Sequence, residues 1–106
     1  MTVLNIINAY NNGRKGEENP YPMCRHATEG WQMGVEATII SDAKWTIETY
    51  GRFQTAGWIR IDLDPQSLQA MELAAQELDK RGMLERKGNA VKIMDKPITL
   101  LANSSP

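Results

Sequence analysis

Between Tyr10 and Ala37 the chain sets small residues one helical turn apart on both sides of a proline corner. Tyr10, Gly13 and Gly16 come first, then Asn19-Pro20-Tyr21, then Gly30-Trp31, Gly34 and Ala37. This order predicts two short helices packed backbone against backbone. Over residues 2 to 14, Val3, Leu4, Ile7 and Tyr10 recur at spacings of three and four, which places them on the packed face of a first helix, with Asn5, Asn8, Asn11 and Asn12 mostly outside it. The run from Glu17 to Pro22 cannot continue that helix, because each proline lacks a donor and biases the residue before it away from helical angles. A second helix is expected from about Met23 to Thr38, burying Ala27, Trp31, Gly34, Val35 and Thr38. Glycine inside a helix costs about 1 kcal/mol relative to alanine, so Gly30 and Gly34 need a packing reason. Close approach of Trp31 or of the first helix's backbone supplies one.

Beyond this hairpin the pattern turns from helical to alternating. Trp45, Ile47 and Thr49 share one face of an expected strand, and Ile59, Ile61 and Leu63 share one face of another. Gly51, Gln54-Thr55 and Gly57 provide the turn of a β-hairpin over about residues 44 to 63. The helical alternative for Ala43 to Phe53 stays open, because Trp45, Thr49 and Phe53 also fall four residues apart. Asp64-Pro65 signals a helix start. Leu68, Met71, Ala75 and Leu78 then mark one stripe, Glu77 and Arg81 form a pair four residues apart, and Gly82 caps the end. Two further strands, Met83 to Arg86 and Ala90 to Ile93, flank Lys87-Gly88-Asn89. Ile98, Leu100 and Leu101 are expected to pack back ahead of a frayed tail. The fold class is therefore α+β: a helical hairpin over residues 1 to 40, then a β-hairpin, helix, β-hairpin unit over 41 to 106 packed with it as one compact domain.

Length and charge narrow the function. A chain of 106 residues buries one modest core, and its composition is that of a folded globular protein. With a net charge of −1, the whole molecule has no general attraction to nucleic acid. Six basic residues between Lys80 and Lys96 nevertheless face only Glu85 and Asp95. No apolar run approaches the roughly 18 residues of a membrane span, and the N-terminus has no basic leader or cleavage site. Cys24 is the single cysteine and forms no internal disulfide. From these features a cytoplasmic protein with no membrane partner is expected.

The succession Tyr10, Gly13, Gly16, Pro20-Tyr21, Trp31, Gly34 resembles the ribosome modulation factor family, including the short phage and plasmid proteins that share its helical hairpin. The resemblance covers about residues 3 to 38. It implies a helical-hairpin fold and association with the ribosome or RNA, with Arg14, Lys15, Tyr21 and Arg25 near the contact, while Tyr10, Gly13, Gly16, Pro20, Trp31 and Gly34 are structural. Val35 stands where the family carries a second tryptophan. Residues 1 to 38 hold Arg14, Lys15 and Arg25 against Glu17, Glu18, Glu29 and Glu36, which offers little phosphate neutralisation.

Two other features could carry binding. The C-terminal helix followed by a basic hairpin is similar to the recognition helix and wing of winged-helix DNA-binding domains, with Arg86, Lys87 and Lys92 on phosphates. That helix is rich in acidic and amide side chains, and a solvated face is the competing reading. The first β-hairpin carries Trp45, Tyr50, Arg52, Phe53, Trp58 and Arg60, residue types over-represented at interfaces and suited to stacking on bases. Alternation sets Trp58 and Arg60 opposite Ile59 and Ile61. The competing reading has helices covering both sheet faces.

Catalysis has little basis in the sequence. Cys24 and His26 are two ligands short of a zinc site, and they lack an oxyanion partner for nucleophilic work. The expected function is non-catalytic binding that modulates or inhibits a larger host machine, such as a nucleic-acid enzyme of a defence system, with no cofactor and no metal. Its partner is a host protein or ribonucleoprotein, met through Glu17, Glu18, Trp45, Tyr50, Arg52, Trp58 and Arg60. Ribosome or RNA association is the alternative.

Overall fold

The computed structural model of the chain describes residues 2–95. The elements run α1 (Val3–Lys15), α2 (Arg25–Tyr50), β1 (Arg52–Phe53), β2 (Trp58–Arg60), α3 (Leu68–Asp79), β3 (Leu84–Lys87) and β4 (Ala90–Ile93), an α+β protein with the helical hairpin first. Lys96, the apolar residues Ile98, Leu100 and Leu101, and the tail lie outside the described residues. The described residues divide into two compact units, one up to Ile39 and one from Ile40 to Asp95.

In the first unit Thr2 caps α1, its hydroxyl accepting from the Asn5 amide at 3.3 Å, and Gly16 ends the helix in the left-handed region at φ 74°. The inward face differs from the expected one. Ala9 and Gly13 are buried and Ile6 is half-buried, whereas Val3, Leu4 and Ile7 are exposed. The cause is the backbone contact between α1 and α2. A Cβ on Gly13 would lie 2.1 Å from the Trp31 carbonyl oxygen, and one on Gly34 would lie 2.2 Å from the Tyr10 carbonyl oxygen. Side chains the size of valine or leucine on that seam would hold the axes at the ordinary 8–10 Å, so the small residues take it instead.

Hydrogen bonds then fix the corner. The Trp31 indole donates to the Glu17 carbonyl at 2.8 Å, Tyr21 N–H donates to the Asn19 side chain at 3.0 Å, and the Asn19 amide donates to the Thr28 hydroxyl at 2.8 Å. The Thr38 hydroxyl donates to the Arg14 carbonyl at 2.9 Å, which satisfies an acceptor that the end of α1 leaves open.

α2 does not stop near Thr38. It continues to Tyr50, so the strand expected around Trp45, Ile47 and Thr49 is helix, and the first β-hairpin is the shorter Arg52–Arg60 segment. No glycine or proline interrupts Val35 to Tyr50, and Ile40, Ala43 and Ile47 follow at helical spacing. Ile47 is fully buried, while Trp45 is 59% exposed and Thr49 is exposed, as a helix and not a strand requires.

The second unit holds one antiparallel sheet in the order β1-β2-β4-β3. Its core gathers Ala43 and Ile47 of α2, Met71, Ala74, Ala75 and Leu78 of α3, and Ile59, Ile61, Met83 and Val91, with Ile40, Leu84 and Ile93 packed against them. Leu63, expected to face inward with Ile59 and Ile61, is exposed. The Asp64-Pro65 signal starts a turn before the helix. Asp64 accepts from the Gln66 amide and the Ser67 hydroxyl, and α3 begins at Leu68. After α3, Gly82 is left-handed at φ 70° and the Met83 amide bonds back to the Leu78 carbonyl at 2.9 Å, a Schellman closure.

Candidate binding face

Strand register sorts the side chains of the sheet. Phe53, Ile59, Val91 and Arg86 are cross-strand partners on the side of α3 and the core, and Leu84 and Ile93 join them two residues away. The opposite side carries one row of Arg52, Arg60, Ala90 and Lys87 and a second row of Trp58, Lys92 and Glu85. All seven are exposed or half-buried, and none belongs to the core. The strands of this outer face therefore bear four cations and one indole against the Glu85 carboxylate, with Asp62 just beyond β2 pairing with Arg60, on a protein whose net charge is −1.

Three details shape the face. The Lys87 ammonium lies over the Trp58 ring, 5.1 Å from its centroid, reaching across β4 at Ala90, where a larger side chain would stand in the way. Arg60 donates two hydrogen bonds to the Asp62 carboxylate, at 2.8 and 2.7 Å, which fixes the guanidinium plane. Those bonds hold the Asp62 carboxyl below its usual range and raise Arg60 above its own. Lys92 runs its stem beside Gly57, whose Cβ would meet Lys92 Cε at 3.6 Å. Among the described residues, Arg52 and Lys92 carry no ion pair.

The other candidate residues fall elsewhere. Trp45 and Tyr50 are exposed near the end of α2, edge to face with ring centroids 5.8 Å apart. Arg86 lies on the helix-facing side, bonded to Glu72 of α3 at 3.0 Å and to the Gly88 carbonyl at 2.9 Å. It therefore shares no face with Lys87. In the first unit Arg14 and Lys15 are exposed on the last turn of α1, where cations suit the helix dipole. Glu17 and Glu18 are exposed just beyond it, their carbonyls accepting from Trp31 and Asn12. Tyr21 is half-buried, and Arg25 pairs with Glu29 at 3.7 Å. Cys24 is half-buried and His26 lies 4.0 Å from Glu29. The described residues contain no group of three or more metal-ligating side chains and no helix long and apolar enough to cross a membrane.

The contact between Lys87 and Trp58 was not anticipated from sequence. Its signal was the two-residue Gly88-Asn89 turn, which fixes the register of β3 on β4 and so sets Lys87, and not its neighbour Arg86, on the face that carries Trp58.

Acid should weaken the second unit. Glu72 is held below its usual range by hydrogen bonds from Arg86, and Glu77 by hydrogen bonds from Arg81 and then Lys80, as Asp62 is by Arg60. A carboxyl depressed in the folded state adds stability above its unfolded pKa and loses it as pH falls through the folded value. Urea midpoints are therefore expected to stay level from neutral pH down to about 5 and to decline below about 4. A midpoint that rose on acidification below that point would contradict these pairings.

Comparison with known proteins finds no family model, no curated protein and no solved structure that matches the chain.

Proposed function

We propose that this chain is a small non-catalytic binding protein that modulates or inhibits a larger host machine, with the outer sheet face as its contact surface. The observation that supports this reading is the gathering of Arg52, Arg60, Lys87 and Lys92 around Trp58 on the side of the sheet away from the core. Cations and an indole ring bind rather than react, and arginine and tryptophan dominate the energetics of many interfaces. The strands hold these groups at fixed spacing, and the bonds to Asp62 keep Arg60 from collapsing onto other neighbours, so little ordering cost remains for binding. The N-terminal helical hairpin, whose motif is like that of ribosome modulation factor, acts in this reading as a scaffold.

Sedimentation of the tagged protein with bacterial lysate on a sucrose gradient tests it. The protein is expected to travel with a large assembly, and Arg52→Glu should return it to the top fractions, while Trp45→Ala, on α2, should leave it with the assembly. Wild-type protein that stays at the top, or an Arg52→Glu variant that sediments unchanged, would overturn the reading.

A further inference from the structure

The outer sheet face offers a more specific partner, and this step rests on reading that face as the contact surface. We propose that it binds a single strand of nucleic acid, with one base stacked on Trp58 in the place Lys87 now holds and phosphates on Arg52, Lys92 and the released Lys87. The charge pattern is the first argument. A protein surface complementary to this face would have to supply several carboxylates at strand spacing, whereas a polynucleotide supplies one negative charge per residue wherever the strand lies. Arg52 and Lys92 have no carboxylate partner among the described residues, and the acids at the face are Glu85 on β3 and Asp62, which is engaged by Arg60.

Relative strength is the second argument. An exposed cation over an indole is a weak contact, and a base stacked on the same ring is the stronger of the two. A base therefore displaces Lys87, and the freed ammonium turns to the phosphate beside that base. Ala90, directly opposite Lys87 on β4, brings only a methyl to the face there, and Lys92 flanks the ring on its other side as the cross-strand partner of Trp58.

Geometry selects a single strand. The face crosses four strands, about 14 Å at the usual interstrand spacing. Ala43 and Ile47 of α2 and the buried stripe of α3 pack with Ile59 and Val91 on the other side of the sheet, so the strands themselves make up this surface. An indole lying on it reaches only a base whose π-face is unstacked, which a duplex does not present. The contacts are to base faces and phosphates, so the proposal is indifferent to the sugar.

Fluorescence anisotropy with labelled twelve-nucleotide oligo(dT) and oligo(rU) tests it on the full chain. Both are expected to bind within about threefold of each other, and a matching duplex far more weakly. Three phosphate contacts should weaken binding about 20-fold between 50 and 200 mM salt. Trp58→Leu, which keeps apolar cover over β2, should cost about tenfold or more through lost stacking. Arg52→Glu, on an exposed two-residue edge strand, should cost at least as much with an unchanged circular dichroism melt. Arg86→Gln, on the other side of the sheet, should change affinity less than twofold.

No binding at 100 μM protein, equal binding of duplex, or an affinity untouched by both Trp58→Leu and Arg52→Glu would overturn the proposal. If the oligonucleotides fail while co-sedimentation still depends on Arg52, the nucleic-acid proposal falls and the binding function stands with a protein partner. If both fail, both are wrong.

Discussion

Replacing Gly34 with alanine is expected to lower the unfolding free energy by about 2 kcal/mol, although alanine is the better helix former by about 1 kcal/mol. The new methyl would meet the Tyr10 carbonyl oxygen at 2.2 Å and the Arg14 amide nitrogen at 2.9 Å. Both are main-chain atoms of α1, so no rotamer change relieves the clash and the helices must separate. Gly13→Ala strikes the same seam from the other side, against the Trp31 carbonyl and the Val35 amide. Once one methyl has parted the helices, the second costs little, and the double variant should fall well short of the sum. Urea denaturation of the four proteins in that cycle measures the coupling. Additive losses, or a Gly34→Ala protein as stable as the parent, would mean that the backbones are not in contact there.

Ile47→Ala should cost about 3 kcal/mol, through lost burial and the cavity left among Ile59, Met71 and Leu78. Trp45→Ala, two residues away, should cost less than about 1 kcal/mol, the order of the aromatic edge contact with Tyr50 that it removes. The contrast is a direct test of local structure. On a strand, residues 45 and 47 share a face and both substitutions would be severe; on a helix they stand about 200° apart. Comparable losses at the two positions would rule out the helix through this segment.

That segment also shows where sequence reasoning failed. Trp45, Ile47 and Thr49 alternate like a strand, and four aromatic or β-branched residues in the five positions from Trp45 to Thr49 favour one by composition. What decided the outcome was longer in range, because Ile40, Ala43 and Ile47 together with Met71 and Leu78 form a core that only a continued helix completes. The α1 face failed for a different reason. Bulk hydrophobicity singled out Val3, Leu4 and Ile7, but the closeness of the helices was set by residues with no bulk at all. Features whose cause is local were legible: the Pro20-Tyr21 corner, the left-handed Gly82 and the hairpin around Gly88. The placement of Trp58 and Arg60 opposite Ile59 was readable from alternation. Lys87 and Lys92 joined them only through the pairing of β4 with both β2 and β3, which no single segment encodes.

The Gly88-Asn89 turn has a consequence for how such a protein could change over generations. Gly88 takes φ 60°, and the turn closes β3 onto β4 with two residues between the strands. A single codon inserted there, if β3 kept its pairing with β4 one residue out of step, would invert that strand. Arg86 and Leu84 would then point outward, and Lys87 and Glu85 would point toward α3. One insertion would remove both the acid and a cation from the outer face, uncover Trp58 and replace a flexible ammonium with a planar guanidinium. The polarity of the surface is thus written in the length of a loop as much as in the identity of its side chains, and relatives that differ by one residue at this turn would present partners with a different face on the same scaffold.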